Sequence, residues 1–138
     1  MFQKIGLTTS LSLGLSMMAL ATVSTGAQAA GHAAAPAKKA VVEGKALLTS
    51  PKGRTLYTFD KDVKNVSNCN GGCAKKWPPL KAKAKGMMKG DFTVISRKDG
   101  GLQWAYKGKP LYTWIKDTKA GQTSGDGVKG VWHVARPN

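Results

Sequence analysis

Carboxylates are scarce in this 138-residue chain: 7 Asp and Glu stand against 22 Lys and Arg, for a formal net charge of +15. With so little acid, most lysines have no internal partner, and the protein must attract polyanions in a salt-dependent way. Histidine is almost missing, with His32 near the start and His133 near the end. His133 is then the one imidazole available for acid–base work in the folded region, and no serine sits in a recognisable nucleophile elbow. A non-enzymatic protein is expected. Cysteine is limited to Cys69 and Cys73. Two cysteines cannot supply a thiolate zinc set, and their C-x₃-C spacing is neither the haem-attachment signature nor the C-x-x-C of thiol oxidoreductases.

No stretch reaches the ~20 apolar residues of a membrane-spanning helix. The nearest is the opening, MFQKIGLTTSLSLGLSMMALATVSTGAQAA, where Lys4 precedes an apolar run from Leu11 to Val23 and small residues end in Ala27-Gln28-Ala29. That is the pattern of a secretory signal peptide over residues 1–29, cleaved after Ala29, with no transmembrane segment afterwards. Cleavage would leave 109 residues with a net charge of +14, enough for one small domain. An Ala- and Lys-rich stretch over residues 30–44 is expected to be a flexible leader, and residues 45–138 a single domain.

Shifted by 55 positions, residues 53–80 match residues 108–135 without a gap, and nine of the 28 pairs are identical. The identities include Tyr57/Tyr112, Lys61/Lys116, Asp62/Asp117 and Trp77/Trp132, while Phe59 faces Trp114. A register held through unlike loops marks two copies of one structural unit. Each copy opens with a Gly turn and an alternating run rich in aromatic and β-branched residues, Thr55–Phe59 and Leu111–Ile115, as strands require. Asp99-Gly100-Gly101 and Lys107-Gly108-Lys109 read as hairpin turns, and no convincing amphipathic helix is present. The predicted fold is all-β: a small antiparallel domain of two pseudo-symmetric repeats. Its core is expected to hold Tyr57, Phe59, Trp77, Trp104, Tyr106, Tyr112, Trp114 and Trp132, because aromatics remove the most area from water in a small domain.

The motifs Tyr57-x-Phe59-x-x-Asp62 and Tyr112-x-Trp114-x-x-Asp117, followed by Trp77 and Trp132, resemble the bacterial secreted-repeat family with a Y-x-(F/W/Y)-x-x-D motif. The resemblance spans residues 45–137 and implies an exported envelope protein, in many members a lipid-anchored one. No cysteine stands at the cleavage site here, so this chain resembles the soluble periplasmic or secreted members.

Asp62 and Asp117 could in principle form a carboxylate pair, but an Asp three residues past its aromatic more often accepts N–H groups of the next turn. Cys69 and Cys73 align with Ser124 and Val128, so they were added to one copy only. In an exported chain they are expected to form a disulfide across Asn70-Gly71-Gly72. Lys75, Lys76, Lys81, Lys83, Lys85 and Lys89 fall within 15 positions and are the candidate docking patch for anionic envelope polymers, lipid headgroups or an acidic partner. No base-reading element accompanies them, so sequence-specific nucleic-acid binding is not expected. No cofactor is expected. The alternative is a periplasmic carrier of a metal, haem or small redox ligand, with Cys69, Cys73 and His133 as donors and Met87 and Met88 as soft ligands.

Overall fold

The computed structural model describes Gly14 and residues 34–138. The signal-peptide reading therefore lies, apart from Gly14, outside the described residues. Strands β1 (Lys38–Val42) and β2 (Lys45–Thr49) are joined through Glu43 and Gly44, whose φ values of 50° and 74° are the left-handed pair that a two-residue antiparallel turn demands. β1 lies inside the stretch expected to be a flexible leader. Ordering reaches that far because Ala37 is buried and Ala40 and Val42 pack against the aromatic core, so small side chains suffice where the partner strand is already in place.

β3 (Tyr57–Phe59) carries the first motif. A five-residue helix, α1 (Gly72–Lys76), follows it in the cysteine loop, where strand and turn alone were expected. The second half builds a four-stranded antiparallel sheet from β4 (Met88–Lys89), β5 (Phe92–Ser96), β6 (Leu102–Tyr106) and β7 (Lys109–Pro110). A 3₁₀ turn at Val128–Gly130 leads into β8 (Trp132–Val134), which pairs antiparallel with β3 and so joins the two copies.

Tyr57 and Tyr112 sit opposite each other at the centre and exchange both backbone bonds, at 2.8 and 3.0 Å. From there each motif runs alongside the tryptophan segment of the other copy. In β3–β8, Thr58 lies opposite His133; in the counterpart, Thr113 N–H donates to the Pro78 carbonyl at 2.9 Å. The strand expected over Leu111–Ile115 nevertheless does not continue as a ladder past Tyr112. Pro78, opposite Thr113, accepts that bond but has no N–H to return, so the exchange that would extend the pair is only half made. Farther out the copies match again: Leu48 N–H donates to the Ala135 carbonyl at 2.9 Å, and Trp104 N–H to that of Leu80 at 2.8 Å.

Strand alternation splits the interior in two. Tyr57, Trp77, Tyr112, Trp114, Trp132, Leu47 and Val134 form an aromatic core, with Phe59 partly buried beside it. Leu48, Leu56, Leu111, Ala37 and Ala135 form an aliphatic cluster on the other side. Tyr106 belongs with that second cluster, its ring 4.9 Å from Phe92, and Trp104 is buried outside both, so neither joins the aromatic core expected for them. Gly125 is required under this core: a Cβ there would lie 2.8 Å from Trp77 and 2.9 Å from Tyr57.

Candidate functional site

Four rings stack as a column, alternating between the copies: Phe59, Trp132, Trp77, Trp114. Centroids are 4.2, 3.8 and 3.9 Å apart along it, and the central indoles are parallel to within 4°. Tyr57 meets Trp77 edge-on at 5.4 Å, and Tyr112 meets Trp132 likewise at 5.1 Å. Each such pair contributes ~0.5–1.5 kcal/mol beyond the area it buries.

The motif aspartates reach across the same centre. Tyr112 donates to Asp62 at 2.6 Å, and Tyr57 donates to Asp117, so each phenol is held by the carboxylate of the opposite copy. The remaining oxygens accept local donors: Asn68 N–H bonds Asp62 at 2.6 Å, and Ser124 gives Asp117 its N–H at 3.0 Å and its hydroxyl at 2.6 Å. Both carboxylates are thus committed to hydrogen bonds with other groups, which leaves them ill placed as a catalytic pair. Burial raises the pKa of Asp62, against the opposing pull of Tyr112, Asn68 N–H and the charge of Arg97.

Burial, reinforced by the carboxylate each one faces, pushes both phenol pKa values far above the ordinary tyrosine value of 10.0. Above that pH the unfolded chain gives up these protons while the folded chain keeps them. The stability the two phenols supply is therefore complete below pH ~10 and is lost as pH climbs toward the folded values, by up to ~1.4 kcal/mol per pH unit for each tyrosine. Urea unfolding midpoints measured from pH 9 to 12 should fall steeply past about pH 10, and Tyr57→Phe should remove about half of that slope. An unchanged slope in the variant would refute the assignment.

Cys69 and Cys73 form a disulfide with Cα atoms 5.2 Å apart. Closing this short loop contributes roughly 2 kcal/mol in the chain-entropy account. Both sulfurs are consumed, so neither serves as a thiolate donor in this state, and His133 Nε2 lies 2.7 Å from Asp60. Among the described residues no group of three His, Cys, Asp or Glu side chains is placed to hold a metal ion. The loop has a second anchor that nothing in the sequence singled out. Arg97, its side chain 1% exposed, donates to the Cys69 carbonyl at 2.7 Å, to Gln103 at 2.8 Å and to Ser67 at 2.9 Å, while pairing with Asp99 at 3.1 Å. Asp99 titrates below the usual carboxylate range, first because it accepts the Gly101 N–H and then because of Arg97.

The candidate docking lysines are all exposed but lie on separate elements: Lys75 and Lys76 on α1, Lys81, Lys83 and Lys85 in the connecting segment, Lys89 on β4. Lys76 faces a different feature. With Lys61, Lys116 and Lys129 it surrounds a cleft of about 680 Å³ whose wall is the four-ring column. Lys61 and Lys116 were legible as an identical pair in the self-alignment, although only the fold shows that they share a cleft.

Fold and site together define an antiparallel β protein of two copies that complete each other's hydrogen bonds. Residues 41–81 and 93–136 both match the model of a family described as a secreted repeat of unknown function, and the chain belongs to that family. No curated protein and no solved structure matches it. Among the described residues no helix is long and apolar enough to cross a membrane.

Proposed function

We propose that this is a non-enzymatic exported protein that works by binding anionic components of the bacterial envelope, such as acidic polymers, through its lysine surface. The observation that carries this reading is how the few acids are used. Asp62 and Asp117 are spent on the crossed tyrosines, Asp99 on Arg97, Asp60 on His133, and Asp126 accepts the Val134 N–H. Every described lysine is exposed, and among the described residues none enters an ion pair. Positive charge is left facing solvent, uncompensated, while five of the seven carboxylates are engaged in bonds within the fold. Such a surface concentrates polyanions and sets no sequence preference among them.

Retention on immobilised heparin tests this. The protein should elute above ~0.15 M salt, where the Debye length of ~8 Å has removed diffuse attraction. Replacing Lys75, Lys76, Lys81, Lys83, Lys85 and Lys89 together by glutamine should shift elution to markedly lower salt. Elution below ~0.15 M by the parent protein, or unchanged retention of the six-fold variant, counts against it.

A further inference from the structure

The cleft beside the ring column has features that a diffuse lysine surface does not require. Trp132 lies between Phe59 and Trp77, and Trp77 between Trp132 and Trp114, so the faces of both central indoles are covered and the cleft meets their edges. Aromatic edges carry the positive part of the ring quadrupole. Four ammonium groups add to that, and no carboxylate lines the cleft. Its volume of about 680 Å³ falls within the ~300–1,000 Å³ of small-molecule sites.

The cleft also inherits the internal symmetry. Phe59 and Trp114 cap the two ends of the column, and Lys61 and Lys116 follow them at the same spacing in their respective copies. Lys116 Nζ stands 5.7 Å from the Trp114 ring centroid, which fixes one ammonium at that end.

We propose that this cleft binds an elongated aromatic dianion, its flat body laid across the indole edges and its two anionic ends held by Lys61 and Lys116. An aromatic body presents its negative face to those positive edges, the favoured edge-to-face arrangement. Two like charges at opposite ends match two like ammonium groups related by the repeat. The proposal does not rest on polymer binding, since Lys76 alone belongs to both surfaces.

Calorimetric titration of the full chain at low salt with biphenyl-4,4′-dicarboxylate and with biphenyl-4-carboxylate tests it. The dianion should bind about fivefold more tightly than the monoanion, a factor typical of one added solvent-facing ion pair. Lys61→Gln and Lys116→Gln should each erase that advantage, whereas Lys98→Gln, outside the cleft, should keep it. Equal affinities, no binding of either probe, or an advantage that survives Lys61→Gln and Lys116→Gln would overturn the assignment. Heparin retention of Lys61→Gln and Lys116→Gln should stay close to that of the parent. Failure of the dianion with retention intact therefore removes this site alone.

Discussion

Replacing Arg97 by methionine is expected to lower stability by about 3–5 kcal/mol and to loosen the cysteine loop while its disulfide stays closed. Methionine fills similar space but donates nothing. The Cys69 carbonyl and the Gln103 side-chain oxygen would lose their short bonds from the guanidinium, and Ser67 would keep only Tyr112 and its own loop. Each buried acceptor left without a donor costs ~1–3 kcal/mol, and these lie together around one loop. Urea unfolding measures the total. Amide exchange at Asn68–Ala74 locates it, because a loop held by the disulfide alone should open by local fluctuation well before global unfolding. A variant with the parent's midpoint and the parent's exchange would show that the charge's desolvation cost cancels its hydrogen bonds.

Trp132→Ala should be of comparable size, about 3–5 kcal/mol, the range for removing a buried aromatic from a packed core. Trp132 is 3% exposed and touches Phe59, Trp77 and Tyr112, so its loss opens a gap in the middle of the column. The flanking rings belong to both copies and are fixed by strand pairing, which limits how far they can collapse into the space. Trp77→Ala should cost a similar amount by internal symmetry. The double variant should cost less than the two added together, because the Trp77–Trp132 contact is lost once and not twice. The stacked indoles should also give a strong near-ultraviolet circular dichroism signal that either single substitution weakens, with Trp77→Ala removing both indole–indole stacks and Trp132→Ala only one. Strict additivity, or a signal that neither substitution changes, would contradict the stack.

The parts of this fold legible in the sequence are those with a period or a register. Alternation placed Tyr57 and Phe59 on one face and Leu56 on the other, and the gapless 55-residue offset exposed the two copies. The cysteine pair was readable because four positions separate it, close enough for the loop itself to bring the sulfurs together. What stayed hidden is long-range. Local reading leaves Asp62 and Asp117 in their own turns, and three of their five bonds are indeed there; the other two come from tyrosines 50 and 60 positions away. Arg97 looks like any other cation until the fold buries it. The second motif strand was expected to match the first because its own residues do. Its pairing instead depends on Pro78 of the other copy, which accepts a bond from Thr113 but has no N–H to give back. The cleft was missed for a related reason: its lysines are scattered over the chain and become neighbours only when the copies pack.

The crossed tyrosine–aspartate bonds carry a further meaning when the chain is regarded as quaternary structure compressed into one polypeptide. A two-fold dimer is held by one patch used twice, residue i against j and j against i. Tyr57 with Asp117 and Tyr112 with Asp62 obey that rule inside a single molecule, so the mostly exposed stretch from Lys83 to Asp91, which includes β4, acts as a tether between two halves that bind each other as subunits would. Cut within that tether, neither half could satisfy its own phenol or bury its own indole. The two pieces should be unfolded apart and should reassemble when mixed.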